Sequence, residues 1–264
     1  MTTVLIKSGG DIATGIAHRL FVSGYQVVIT ELPEPTVIRR TVSFAAAVYQ
    51  QQCQVEGVTA KCVSFSQAAE CLSTGVIPVL VDPECRSLAQ FQPAAVVDAI
   101  LAKQNTGTQL ADASLVIGIG PGFIAGRDVH CVIETMRGHD LGRVITDGSA
   151  LANTGVPGEI GGYSLERLLR APCDGVFTPI REIGNVVAAG EVVAQVSGQP
   201  VVAEISGVLR GLLFDRLVVR QGMKIGDIDP RCRREHCFTI SDKARAVGGG
   251  VLEALLGHKV LPGN

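Results

Sequence analysis

The feature that most constrains the fold is the pattern of the opening residues. Val4-Leu5-Ile6 is a short apolar run, and a turn of small residues, Ser8-Gly9-Gly10-Asp11, follows it. Apolar residues then recur at helical spacing over 12–21, and a second apolar run, 27–29, leads to Glu31. This order predicts a strand, a helix and a second strand paired in parallel with the first, as in one half of a dinucleotide-binding fold.

The turn itself predicts a ligand. A glycine turn that enters a helix presents backbone N–H groups and the positive end of a dipole to a phosphate. An acid about 20 residues further on reads a ribose hydroxyl in such folds. Ser8, Gly10 and Ala13 occupy the three fingerprint sites, so the match is partial, and an ordinary strand–helix connection is the alternative. We expect an NAD-like or other nucleotide, rather than NADP, contacted by Gly9, Gly10, Asp11, Thr14 and Glu31.

Composition narrows the class of protein. The 264 residues carry a net charge of −2, with 31 glycines and no tryptophan, which suits parallel strands and tight loops. The charge balance does not favour a nucleic-acid groove, and no apolar run is long enough to span a membrane. The eight cysteines are interpreted as reduced thiols, with Cys85 and Cys232 in the surroundings most favourable to reactivity. Without a signal-peptide pattern, the expected location is the cytoplasm.

Residues 1–164 are predicted to form a Rossmann-like α/β domain with a parallel sheet. Further strands are predicted at 58–63, 77–81, 95–100 and 115–119, and helices near 44–49 and 66–72. Ligands of such sheets lie beyond the carboxyl ends of the strands. Loop residues after two of the strands are therefore expected to line the same edge as the glycine turn, namely Lys103, Asn105, Gly120 and Gly122.

Residues 165–232 contain an internal repeat. A shift of 32 residues superposes Gly175 on Gly207 and aligns valine-rich runs with one another. Two such β-halves resemble the barrel-sandwich hybrid fold of biotinyl and lipoyl domains. Those domains carry a lysine at the hairpin between the halves, here 196–200, which contains none. The module is therefore predicted to dock or pack rather than to carry a covalent cofactor.

Residues 233–264 are expected to form a third segment that packs back on the first domain. Ser241 or Asp242 is placed to cap a helix that continues to Leu256. Three consecutive glycines, 248–250, weaken that helix unless another element packs closely against them.

The densest group of potentially catalytic side chains lies in the middle of the chain. In a strand, His130 and Glu134 share one face, and Arg137 and His139 lie in the loop that follows. A histidine beside a carboxylate can move protons, and an arginine can bind an anionic substrate. An ion-paired surface loop is the alternative. The spacing matches no standard zinc or iron pattern, so no metal site is predicted.

Four stretches carry a family resemblance, residues 10–15, 31–33 with 38–44, 118–126 with 128–141, and 226–231. Together they resemble the YqeB family, the proteins of the selenium-dependent molybdenum hydroxylase system. The resemblance implies a Rossmann-like domain with a small β module. It also implies an accessory role in maturing or supplying a molybdenum hydroxylase of the xanthine-dehydrogenase type.

Three functions follow as hypotheses. The first is a maturation protein that binds a nucleotide, or the nucleotide part of a molybdopterin dinucleotide, and contacts the hydroxylase or its other maturation proteins. The second is an NAD-dependent oxidoreductase in which His130 or His139 is the acid–base and Arg137 binds a small substrate. The third is a non-catalytic nucleotide-sensing scaffold. Oligomerisation is left open.

Overall fold

The opening segment forms the three elements that its periodicity predicts. In the computed structural model, which describes residues 2–263, these are β1 (Thr3–Lys7), α1 (Asp11–Val22) and β2 (Gln26–Glu31). The strands β1 and β2 pair in parallel along their length. The chain divides into two units, of which the first comprises the chain up to Pro35, Ser43–Asn153 and the chain from Ile240 onward.

The other elements of the first unit alternate between strands and short helices. They are α2 (Ala47–Gln50), β3 (Gln52–Val55), β4 (Val58–Cys62), α3 (Ala68–Ser73), β5 (Ile77–Val81), α4 (Ser87–Phe91), β6 (Ala95–Asp98), β7 (Leu115–Ile119), β8 (Cys131–Ile133), β9 (Val144–Ile145) and α5 (Asp242–Gly257). Short 3-10 turns occur at Phe44–Ala46, Phe65–Gln67 and Leu110–Asp112. The strands predicted at 77–81 and 115–119 are confirmed with those bounds.

The prediction of a Rossmann-like parallel sheet is wrong, because the sheet is mixed. Its nine strands lie in the order β3-β4-β5-β2-β1-β6-β7-β8-β9. The seven central strands are parallel, but β3 is antiparallel to β4 and β9 is antiparallel to β8. Glu56 and Gly57, with φ of 45° and 84°, form a two-residue turn between β3 and β4. A turn of this kind reverses the chain within one hairpin, which leaves no room for a crossover helix.

The helices α1 and α5 pack closely because glycines face each other across the contact. A Cβ at Gly15 would lie 2.6 Å from the Cβ of Ala244, and a Cβ at Gly248 would lie 3.0 Å from the Gly15 carbonyl oxygen. The Ser241 hydroxyl accepts the Ala244 amide at 3.2 Å and caps α5, as the sequence indicates. The glycines 248–250 are thus tolerated because Gly248 and Gly250 approach other backbone segments.

The second unit comprises Thr36–Val42 and Thr154–Thr239. Its strands are β10 (Leu168–Arg170), β11 (Gly175–Pro179), β12 (Val186–Val187), β13 (Val192–Val196), β14 (Gln199–Val202), β15 (Gly207–Leu212), β16 (Val218–Val219) and β17 (Lys224–Asp229). They form two antiparallel sheets, β10-β17-β15-β12 and β14-β13-β11-β16. The starts of β15, β16 and β17 follow those of β11, β12 and β13 by 32 residues, so the repeat in the sequence is a repeat in structure.

The unit boundaries fall near, but not at, the expected domain boundaries. The chain changes unit at 153/154 and 239/240, against expected boundaries at 164/165 and 232/233, and Thr36–Val42 joins the second unit. Across residues 2–263, no helix combines the length and apolar character that a membrane crossing requires.

Candidate functional site

The glycine turn after β1 is closed by its own neighbours. Glu31 is 7% exposed, and its carboxylate accepts the Gly9 amide at 2.8 Å and the Leu32 amide at 2.7 Å. Burial raises the pKa of Glu31, while these two hydrogen bonds and the Ser8 hydroxyl act to lower it. The Gly10 amide donates to the Ser8 hydroxyl at 3.2 Å. The acid that was expected to read a ribose is instead bonded within the turn and the strand end.

Phe44 and Ala45 cover the same turn. The Ala45 amide donates to the Gly9 carbonyl at 2.9 Å. The Thr14 hydroxyl donates to that carbonyl at 3.0 Å and accepts the Phe44 amide at 2.8 Å. A Cβ at position 9 would lie 2.6 Å from the Ala45 nitrogen. These contacts pack Ala45 directly against the Gly9 backbone, and Thr14 already uses its hydroxyl to bind the covering segment.

The structure separates His130 from Glu134. They flank β8 at opposite ends, about 13 Å apart along an extended strand. The His130 Nδ1 accepts the Val116 amide at 2.9 Å, and burial, followed by the charge of His258, lowers the pKa of His130. The buried Glu134 carboxylate accepts the amides of Thr135, Met136 and Leu151 at 2.7, 2.6 and 2.8 Å. The two side chains do not form one proton-transfer pair.

Arg137 and His139 lie in the loop between β8 and β9. Arg137 donates to both oxygens of Asp242, at 2.7 and 3.0 Å, and so binds this loop to the start of α5. His139 is exposed. The four predicted catalytic residues are therefore not brought together around one point, and their catalytic role stays a prediction.

Lys103 and Lys243 lie near the carboxyl edge of the sheet, within range for their charges to interact. Burial lowers the pKa of Lys103, in the loop after β6. Burial also lowers the pKa of Lys243, in the first turn of α5, and the charge of Lys103 adds to that effect. Asp11 and Glu134 act in the opposite direction on Lys243, so their carboxylates lie close to it. Among residues 2–263, neither ammonium group has a hydrogen-bond or ion-pair partner.

The remaining predicted residues of this edge shape its loops. Asn105 accepts the Gly107 and Thr108 amides at 2.9 and 2.8 Å, which fixes the loop that carries Lys103. At Gly122, a Cβ would lie 2.6 Å from the Gln104 nitrogen, so the turn after β7 packs directly on that loop. Gly120 contacts the Thr135 side chain in the same way.

A cleft adjoins this edge. Its volume is about 380 Å³, and Glu134 belongs to its lining together with Asp140, Arg143, Val144, Ile145, Thr146, Asp147, Ser149 and Leu151. Because Glu134 also lies near Lys243, the cleft and the lysine pair are neighbours. This volume lies in the range of small-molecule pockets.

Sequence reasoning missed Lys243, which lies far along the chain and was assigned to a packing helix. It also missed a buried polar group behind the edge. The Lys7 ammonium donates to Thr108 at 2.8 Å and to Asp112 at 3.1 Å, and Thr108 donates to Asp98 at 2.5 Å. Lys7 was not among the residues singled out from the sequence.

The thiol singled out beside this group is not activated. Burial raises the pKa of Cys85, which is the opposite of what a reactive thiolate requires. Among residues 2–263, no group of three or more His, Cys, Asp and Glu side chains is arranged to hold a metal ion.

One curated relative resembles nearly the whole chain. No protein-family model matches the sequence. Over 254 residues, 96% of this chain, the sequence is 50% identical to "Uncharacterized protein YqeB" of Escherichia coli (strain K12). The chain spans about half the length of that relative, 47% of it. This similarity supports the resemblance to YqeB proteins and says nothing of a selenium-dependent molybdenum hydroxylase system.

Solved structures show only remote likeness. A succinylglutamate desuccinylase/aspartoacylase from Rhodobacter sphaeroides is 14% identical, with 86% of this chain and 84% of that one covered and a TM-score of 0.29. An aspartoacylase family protein from Mesorhizobium loti is 11% identical, with coverages of 88% and 86% and a TM-score of 0.27. The ectoine utilization protein EutE (DoeB) from Ruegeria pomeroyi is 11% identical, with coverages of 85% and 56% and a TM-score of 0.24. These scores are too low to carry an argument about activity.

The functional hypotheses drawn from the sequence are corrected on the geometry of the glycine turn. Within the chain, Glu31 and Thr14 are engaged in closing the turn that all three hypotheses needed open. The maturation role, the NAD-dependent oxidoreductase and the nucleotide-sensing scaffold are therefore set aside.

Proposed function

We propose that the first unit binds a small organic anion, whose carboxylate or phosphate group is held by Lys103 and Lys243. The observation that supports this is a pair of ammonium groups close enough for Lys103 to lower the pKa of Lys243, with no partner among residues 2–263. Two like charges held near each other destabilise the folded state, and Lys243 is also half-buried. A bound anion offsets their repulsion.

Neighbouring acids do not fulfil that role. The Glu134 carboxylate is already bonded to three amides, and no ion pair joins Lys103 or Lys243 to a described residue. A ligand with its own negative charge complements the two ammonium groups better than a neutral one, because positive groups attract anions.

The cleft beside Glu134 accommodates the rest of the molecule. Its lining mixes apolar side chains, Val144, Ile145 and Leu151, with polar ones such as Thr146 and Ser149. It also includes Arg143 and three acids, Glu134, Asp140 and Asp147, so the anionic group of the ligand belongs at the lysines and not in the cleft. A pocket of this kind fits a small molecule with a short carbon skeleton and a few polar groups. The proposed ligand is therefore an organic acid or a phosphorylated metabolite rather than a bare ion.

Calorimetric titration at low ionic strength tests the proposal, with malonate, succinate and glycerol phosphate as probes. The double variant Lys103→Gln/Lys243→Gln is expected to weaken binding of the best probe by about tenfold or more, since two charge-assisted contacts are lost. The matched control is Lys61→Gln, which removes one exposed lysine of β4 and leaves affinity unchanged. Equal affinity in the double variant and the parent chain contradicts the proposal.

A further inference from the structure

Two carboxylates lie on one face of β17 in the second unit. Asp227 is 3% exposed and Asp229 is fully buried. Residues two apart in a strand point to the same side, so both acids face the same surroundings. Buried carboxylates are stable only when cations or N–H groups surround them, which makes the neighbours of this pair informative.

Two arginines bond these acids directly. Arg167 donates to Asp227 at 2.8 Å and to the Gly158 carbonyl at 3.0 Å. Arg231 donates to both oxygens of Asp229, at 2.9 and 2.6 Å. Burial would raise the pKa of Asp229, but the Arg231 hydrogen bonds and the charge of Arg210 lower it to about 2. Both carboxylates thus have an arginine of their own.

Arg210 and His236 lie in the same cluster without such bonds. Arg210 is 8% exposed, and its guanidinium is 3.9 Å from Asp227 and 3.8 Å from Asp229. The His236 Nδ1 is also 3.8 Å from Asp229. These distances are too long for hydrogen bonds. Both the Arg210 Nε and the His236 Nδ1 are buried, and neither has a hydrogen-bond partner among residues 2–263.

Positive charge exceeds negative charge here. Arg39, 7% exposed, donates to the carbonyls of His236 and Thr239 at 2.9 and 3.2 Å, and its charge acts with burial to lower the pKa of Arg210. Four arginines, Arg39, Arg167, Arg210 and Arg231, therefore surround two aspartates. A buried guanidinium N–H without an acceptor lowers the stability of the fold, and a ligand that supplies the acceptor would restore it.

We infer that this cluster is a second anion site, in which Arg210 and His236 donate to the oxygens of a small oxyanion. A carboxylate or phosphate supplies the acceptors that both nitrogens lack and offsets the surplus of positive charge. The side chains of Arg231 and His236 are 42% and 29% exposed, so the ligand enters on their side. Arg39 and Arg231 lie in 38–44 and 226–231, two of the stretches that carry the YqeB resemblance.

This site is independent of the proposed function, because all its residues belong to the second unit and the lysine pair belongs to the first. Titration of the full chain with inorganic phosphate and with malonate, followed by NMR of arginine Nε–H and histidine ring resonances, tests it. We expect saturable shifts at Arg210 and His236, with the ion that saturates at lower concentration showing whether a phosphate or a carboxylate is preferred.

Variants separate this site from the lysine pair. Arg210→Gln is expected to weaken binding by about tenfold or more, since a charge-assisted contact is lost. Arg216→Gln, which removes an arginine 89% exposed in the same unit, and Lys103→Gln/Lys243→Gln leave the Arg210 and His236 shifts unchanged. Should Arg210→Gln not fold, His236→Ala serves as the second variant and is also expected to weaken binding. No shift at millimolar concentrations of either ion in the parent chain overturns the inference and indicates a bridging water instead.

Discussion

Single buried polar side chains hold the loops at the carboxyl ends of the strands. Glu134 accepts three amides, Glu31 accepts two, and Thr14 both donates and accepts. A buried N–H without an acceptor costs about 1–3 kcal/mol, so each of these side chains fixes the path of the backbone around it. These hydrogen bonds stabilise the loops, whatever binds nearby.

Thr14→Val tests that role at the glycine turn. Valine keeps the shape of threonine but cannot accept the Phe44 amide, so we expect the free energy of unfolding to fall by about 1–3 kcal/mol. Urea denaturation measures the change. Thr106→Val, at an exposed position, serves as the control and is expected to change stability little. An unchanged free energy of unfolding in Thr14→Val would mean that the packing of Phe44 and Ala45 on the turn does not depend on Thr14.

The lowered pKa of His130 predicts that the stability of the fold depends on pH. Burial, then the charge of His258, lowers its pKa below the ordinary value of 6.5, so the unfolded chain takes up this proton at higher pH than the folded chain. Stability is therefore expected to decrease as the pH falls below 6.5 toward the lowered pKa.

His130→Asn removes this contribution while its side-chain oxygen can still accept the Val116 amide. Urea denaturation at pH 7.5 and 5.5 (about one pH unit on either side of an ordinary histidine pKa) should show a smaller difference for the variant than for the parent chain. His139→Asn, at an exposed position, should leave the difference as it is. An equal difference in all three chains would contradict this account.

At the scale of elements, glycines set how closely α1 and α5 approach. Gly15 lies against Ala244, and Gly248 lies against the Gly15 carbonyl, whereas Gly249 has no atom within 4 Å of where its Cβ would be. The close approach allows α5 to cover α1 with the buried side chains Ala244, Val247 and Val251. Within the glycine run 248–250, position 248 therefore has little room for a side chain, whereas position 249 has ample room.

Alanine at two of these glycines should shift stability in opposite directions. Gly15→Ala places a Cβ 2.6 Å from the Ala244 Cβ and 2.9 Å from its carbonyl oxygen, so we expect a loss of about 1–3 kcal/mol. Gly249→Ala meets no neighbour and gains helix propensity, so we expect an increase of up to about 1 kcal/mol. Thermal unfolding measures both, and a shift of the same sign in the two variants would refute the packing argument.

At the scale of the whole molecule, neither unit is a continuous piece of chain. The first unit takes its last helix, α5, from beyond residue 239, and the second unit takes Thr36–Val42 from between β2 and β3. The core of the first unit includes Val247, Val251 and Leu255 of α5, which are fully buried. Cutting the chain at one of the unit boundaries therefore removes part of the core of a unit.

A fragment of residues 2–153 should lack cooperative unfolding, because it exposes the surface of α1 that α5 covers. Joining residues 240–263 to this fragment through a flexible linker is expected to restore a cooperative transition. Near-ultraviolet circular dichroism during urea titration reports it. Cooperative unfolding of the shorter fragment would show that α5 is not needed for the core.

Much of the local structure was predictable. The apolar periodicity predicted β1, α1, β2, β5, β7 and the capped helix α5, and the repeat predicted strands related by 32 residues. The strand β4 was predicted, but its hairpin with β3 was missed because Glu56-Gly57 is a weaker turn signal than Asn-Gly and only one of the four β3 residues is buried. The candidate site was predictable only in part, through Lys103 and the loop glycines.

The sequence by itself determined which segments become strands, helices and turns, because these depend on patterns among neighbouring residues. Only the tertiary structure decided what the polar side chains do. The sequence alone allowed Glu31 to bind a sugar hydroxyl. In the fold, its carboxylate instead accepts hydrogen bonds from the Gly9 and Leu32 amides. The charge of Lys103 acts on Lys243, and Arg210 lies 3.8 Å from Asp229, because the fold brings together distant residues. Hydrogen bonds and charge interactions act over a few ångströms in space, so their partners cannot be identified from spacing along the chain.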